Sequence, residues 1–145
     1  MTNGLFLAQS DTTVGFLSFE KKTIAKAKRR DENKPILITT SSFKKLLRLT
    51  RVPSSFKRRV RNSKKTTFIY PSLEAIRVVN HGLHSEFLEK TEFMYSSSAN
   101  LSGKRFDEAL AKELADIEVL DSRGYFEDTP SSLIKLGKKK ARRLR

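Results

Sequence analysis

Short apolar runs alternate along this chain with segments of helical spacing. Residues 4–8, Gly-Leu-Phe-Leu-Ala, are bounded by polar positions and predict a buried strand. Over 20–30, Ile24 and Ala27 share a face and basic residues gather at the end, where they suit the negative end of a helix dipole; a short helix is predicted. Ile36-Leu37-Ile38-Thr39 predicts a second buried strand. Ser41 or Ser42 is placed to cap a helix reaching Leu49, with Phe43, Leu46 and Leu47 inward. Residues 51–65 carry seven basic side chains around Phe56 and Val60, with Pro53 barring a long helix, and predict no clear element. Two strands at 67–71 and 75–79 suit adjacent pairing through the turn between them. A helix over 82–90 and a strand over 93–96 follow. That strand leads into Ser96 to Gly103, SSSANLSG, read as a hydroxyl-rich turn after which a helix begins, with Phe106, Leu110, Leu114 and Ile117 on one face. A short strand at 118–121 closes the pattern. The result is one α/β domain over 1–136, with 137–145 as a mobile basic tail.

Composition narrows the class. The chain has 145 residues, 37% of them hydrophobic, enough for one domain with a real core. No apolar run approaches the length of a membrane span, and the first residues lack the basic start and apolar core of a signal peptide. There is no cysteine, which excludes a disulfide framework and a cysteine-based zinc site. A cytoplasmic protein that does not engage membranes is the expectation. The net charge of +14 is uneven: residues 34–73 hold eleven basic residues and no acidic one, whereas 86–128 hold eleven of the sixteen acids. Such polarity directs attention to polyanions, RNA or a nucleotide above all.

The candidate chemistry lies in three places. SSSANLSG offers hydroxyls, a carboxamide and a glycine at the end of a strand, which suits an anion; the same residues also serve as ordinary caps and turns. Lys28 and Arg30, two apart at a helix end, could converge on one polyphosphate or simply be solvated. Arg77, on a strand with apolar neighbours, could reach a cleft or snorkel outward. His81 reads as a turn residue. His84 has no evident companion, and with no third ligand a metal site is not expected.

Several segments, in order, resemble the YrdC-like family of L-threonylcarbamoyladenylate synthases. SSSANLSG resembles that family's S-[ST]-S-A-N-x-S-G turn. Residues 9–16, QSDTTVGF, align with P-T-D-T-V-Y-G-L, keeping Asp11, Thr12 and Gly15. Residues 28–36 match K-x-R-x-x-x-K-P-L at Lys28, Arg30, Lys34 and Pro35. Residues 76–81 resemble V-R-V-P-N-H with Val79 in place of proline, and 130–135 resemble P-S-T-V-V-D with Lys135 last. The family's W-P-G-P-[LV]-T turn is replaced by Asn62-Ser63-Lys64-Lys65-Thr66-Thr67, and its usual N-terminal helix has no counterpart.

The resemblance implies a twisted mixed sheet, parallel and antiparallel, with helices on its faces and a basic cleft. It implies ATP, carried with Mg2+, L-threonine and bicarbonate as substrates, with pyrophosphate released and the threonylcarbamoyl group passed by partner proteins to tRNA. By position, Lys28, Arg30, Ser98 and Asn100 would hold ATP and its phosphates, and Thr12 and Arg77 the threonine. No protein nucleophile is implied. The alternative is a non-catalytic protein of the same fold that binds tRNA or rRNA. A further one is the carbamoyl-adenylate chemistry of carbamoyltransferases that contain such a domain.

Overall fold

The computed structural model describes residues 4–145. Backbone contacts sort them into two compact units. One comprises the chain up to Ile36 together with Met94–Thr129; the other comprises Leu37–Phe93 and Pro130–Arg145.

In the first unit the strands are β1 (Phe6–Gln9), β2 (Val14–Ser18), β6 (Met94–Ser98) and β7 (Ile117–Val119). Their order is β7-β1-β2-β6, with β1–β2 and β2–β6 antiparallel and β1–β7 parallel. Alternation sends Leu5, Leu7, Val14 and Phe16 into one core with Ile24 and Ala25 of α1 (Lys21–Lys28) and Ala111 of α5 (Glu108–Leu114). Helix α1 ends where Arg29 turns left-handed at φ 53°, so that Arg29 N–H reaches the Lys26 carbonyl and Arg30 N–H the Ala25 carbonyl.

The second unit has β3 (Leu37–Thr40), β4 (Thr66–Ile69), β5 (Ala75–Val78), β8 (Ser132–Leu136) and β9 (Ala141–Arg143), in the order β3-β5-β4-β8-β9. Pairs β3–β5 and β4–β8 are parallel; β4–β5 and β8–β9 are antiparallel. Its helices are α2 (Phe43–Leu49), α3 (Lys57–Asn62) and α4 (Leu83–Leu88). Ser42 caps α2 by accepting the Lys45 N–H, as its position predicts. Both units are therefore mixed parallel and antiparallel sheet with helices.

Three expectations need correction. The unassigned stretch after Pro53 is a 3-10 turn (Ser54–Phe56) running into α3, because Phe56 and Val60, four apart, are both buried. Ile117 does not extend the face of α5. The helix stops at Ala115, whose N–H returns to Ala111, and Asp116 accepts the Leu5 N–H at 2.8 Å, which starts β7. Residues 137–145 are no mobile tail: Gly137 N–H bonds to the Lys140 carbonyl at 2.8 Å, and the hairpin brings β9 back along β8.

Candidate functional site

Strand direction sets the site. Both β1 and β6 run antiparallel to β2, and β7 runs parallel to β1, so all three end at one edge. Loops leaving the carboxyl ends of strands are where open α/β sheets gather ligands. The loops here are 10–13, 99–107 and 120–129, all in the first unit.

Loop 10–13 is closed by Ser10. Its hydroxyl accepts the Thr12 and Thr13 N–H groups at 3.1 and 3.0 Å and donates to the Thr13 carbonyl at 2.6 Å. Thr12 is 2% exposed, and its carbonyl accepts the Asp128 N–H at 3.0 Å.

Loop 99–107 begins only after the three serines of the motif, and a helix follows it as read. Ser96, Ser97 and Ser98 lie within β6, paired with Leu17, Phe16 and Gly15, and α5 starts later, capped by Asp107. Ala99 N–H ties the loop to Val14. Gly103 sits at φ +76°, a left-handed position that lets the chain turn back so that Asn100 Nδ2 reaches the Lys104 carbonyl at 2.7 Å. Ser98 Oγ donates to Asn100 Oδ1.

Lys28 belongs to the same cluster, but it faces inward. Only 4% exposed, its Nζ donates to the carbonyls of Ser98 and Asn100, each at 2.8 Å, and to Asn100 Oδ1 at 3.3 Å. Burial, with the Arg30 charge nearby, pulls its pKa down from 10.5 to about 8. At neutral pH it is a cation held behind the loop. Arg30, beyond the left-handed Arg29, donates to the Pro35 carbonyl at 2.9 Å and borders an open cavity of about 780 Å³ alongside Lys26, Glu32 and Asp116. The structure thus joins Lys28, Ser98 and Asn100 directly, sets Arg30 beside Lys28, and puts Thr12 in a loop at the same edge. Arg77 lies on β5 in the other unit, 4% exposed, in register with Thr39 and Thr67. His81 is exposed next to Asn80, while His84 is buried and stacked on Phe87. Among the described residues no three His, Asp or Glu side chains gather as a metal site, and no helix is long and apolar enough to cross a membrane.

Sequence reasoning missed Arg123. From the third loop its guanidinium reaches the Gln9 and Ser10 carbonyls at 2.8 and 3.1 Å, while Asp121 holds it at 2.6 Å. Gln9 Oε1 in turn accepts the Phe126 N–H at 2.8 Å. Asp121 and Arg123 two apart beside a glycine were the available signal; their distant partners were not visible in sequence.

A mixed sheet whose strand ends carry hydroxyl-rich loops backed by a buried lysine defines an α/β protein. The family described as "Telomere recombination", of Sua5, YciO and YrdC proteins, matches residues 18–145, and the chain belongs to it. Among solved structures it is similar to E. coli YciO, with 17% identity and a TM-score of 0.77 over 99% of this chain and 82% of that one. It is also similar to P. abyssi Sua5 complexed with L-threonine, with 19% identity and a TM-score of 0.78 over 99% of this chain and 50% of that one. Full-length HypF in a phosphate- and nucleotide-bound form shares 15% identity and a TM-score of 0.72 over 99% of this chain and 27% of that one. The chain therefore spans half the length of Sua5 and about a quarter of HypF. No curated protein matches the sequence.

Proposed function

We propose that the chain is an L-threonylcarbamoyladenylate synthase. The observation that carries the reading is the cluster of Lys28 with Ser98 and Asn100 at the common strand edge. Family membership and the similarity to a Sua5 that binds L-threonine support it. In this reaction the amine of L-threonine combines with bicarbonate to give a carbamate and water. A carbamate oxygen then attacks the α-phosphorus of ATP, and the bond to the β-phosphate breaks to release pyrophosphate. Such chemistry needs anions gathered and charge offset, and no protein nucleophile.

In this reading loop 99–107 holds the adenylate through Ser98 and Asn100, and Lys28 and Arg30 offset phosphate charge. Thr12 orients the threonine. Mg2+ arrives on the nucleotide's phosphates. Transfer of the threonylcarbamoyl group to tRNA falls to partner proteins.

The test is pyrophosphate release from ATP by the purified chain, with L-threonine and bicarbonate supplied singly and together. Release that needs both, and that Asn100→Ala abolishes in a folded protein, is the expected result. Equal release with either substrate omitted, or none from folded protein, would overturn the proposal.

A further inference from the structure

One irregular segment of the first unit reaches back to loop 10–13. Residues 120–129 hold no helix or strand. They nevertheless bond to that loop, or to Gln9 just before it, through Arg123, through Phe126 N–H and through Asp128 N–H, the last on the Thr12 carbonyl. The segment itself is open to solvent, with Leu120 76% and Phe126 41% exposed. Gln9, Ser10 and Thr12, which it holds, are buried.

The Arg123 tie comes from a side chain that is itself gripped. Asp121 accepts its Nε and Nη2 at 3.1 and 2.6 Å, which aims Nη1 and Nη2 at the Ser10 and Gln9 carbonyls. A planar fork serves two successive carbonyls with little freedom lost per bond, which a single ammonium does not match. From Ser10 the constraint passes to Thr12. Ser10 Oγ accepts the Thr12 N–H at 3.1 Å and lies 3.3 Å from Thr12 Oγ1. The Thr12 hydroxyl thus takes its place from Ser10, and Ser10 from Arg123. Loop 99–107 is anchored separately, on Lys28 and through the Ala99 N–H to the Val14 carbonyl.

We infer that Arg123 is a positioning residue for Thr12, and that through it residues 120–129 set the affinity of the site for its amino-acid substrate without touching the nucleotide end. The identity of that substrate, L-threonine, rests on the synthase reading. A side chain that meets a ligand is held in its productive geometry by neighbours that do not meet it, and a small misplacement is costly. Arg123 acts on the carbonyls behind the loop and makes no contact with substrate of its own.

The test follows pyrophosphate release by the full chain, with KM for L-threonine read at saturating ATP and KM for ATP at saturating L-threonine. Arg123→Ala should raise KM for L-threonine by about ten- to a hundredfold and leave KM for ATP unchanged. Arg123→Lys should fall between that variant and the wild type. The Arg123 side chain is 24% exposed, so added guanidinium can enter the space left by Arg123→Ala and should restore part of the L-threonine affinity, whereas equal ammonium should not. Ser42→Ala, a destabilising change in the other unit, should move neither constant. Calorimetric titration with L-threonine reads the same differences as Kd and needs no turnover. A protein that binds L-threonine but releases no pyrophosphate would therefore sink the synthase reading alone, and the Kd values would decide the inference. Equal rises in both KM values would overturn it. So would a shift from Ser42→Ala as large as that from Arg123→Ala, unchanged L-threonine affinity in folded Arg123→Ala, or no L-threonine binding by the folded wild type.

Discussion

Replacing Lys28 with methionine keeps the stem's volume and removes the ammonium from behind loop 99–107. Two effects oppose each other. The Ser98 and Asn100 carbonyls lose their 2.8 Å donor, at about 1–3 kcal/mol for each buried acceptor left unpaired. The variant is also relieved of burying a charge, a cost visible in the fall of the Lys28 pKa to about 8. Because Lys28 remains protonated at neutral pH, the wild type bears that cost in full there, so the relief offsets much of the lost bonding and we expect a net loss of up to about 3 kcal/mol. For a chain of this size that lowers Tm by up to about 10 °C. Urea titration measures the loss, and amide exchange should show faster opening confined to loop 99–107.

The pH dependence supplies a second reading. The folded state sheds the Lys28 proton near pH 8, whereas the unfolded chain keeps it to about 10.5. Between those values the unfolded state binds more protons, so the wild type gains stability relative to the variant as pH rises, by about 1 kcal/mol per pH unit. The neutral amine still donates two hydrogen bonds, enough for the two carbonyls. A Lys28→Met protein as stable as the wild type at pH 7, with a flat difference between pH 8 and 10.5, would refute the reasoning.

Arg123→Ala removes the clamp on the Gln9 and Ser10 carbonyls; we expect a loss of about 1–3 kcal/mol by denaturant titration, with Thr12 amide exchange accelerated. Ser42→Ala deletes the cap of α2 and should cost about 1 kcal/mol in the same assay, whereas Ser41→Ala should not remove a cap. Deleting residues 141–145 strips β9 from β8 and removes the Arg145 bonds to Ser131; a clear fall in Tm is expected, and an unchanged Tm would restore the picture of a loose tail. Arg29→Gly relieves a left-handed side chain at φ 53° and should hold or raise stability by up to about 1 kcal/mol, read from the urea midpoint.

Where side-chain pattern and backbone agree, the sequence was legible. Leu5 and Leu7, Phe43 and Leu46, and the paired strands around residues 72–74 each carry a period that only one element satisfies. The misses have physical causes. Helix α3 has one inward residue per turn and a surface of cations, so its amphipathic signal is faint. Strand β9 is held by main-chain hydrogen bonds at a sheet edge, where side chains say little. Ile117 fits a helical period by accident, and the tie between Leu5 and Asp116 that ends the helix spans most of the chain. The cluster of Lys28, Ser98 and Asn100 was foreseeable as a set of residues. That Lys28 faces inward was not, because a lysine at a helix end reads as solvated until the loop that covers it is placed.

The interleaving of the two units bears on how the chain comes to be folded. The first unit waits for residues 94–129 before its core closes, and the second waits for β8 to slot beside β4. Neither can be completed from a contiguous stretch of chain, and β1 must hold its exposed edge open until β7 is available. Such distant pairings place the protein among slow folders, on the scale of about milliseconds to seconds. During synthesis the nascent chain would present bare strand edges through most of its length, so its yield should depend on what shields those edges, such as a chaperone or a slow, cool expression, more than on the stability of the finished fold.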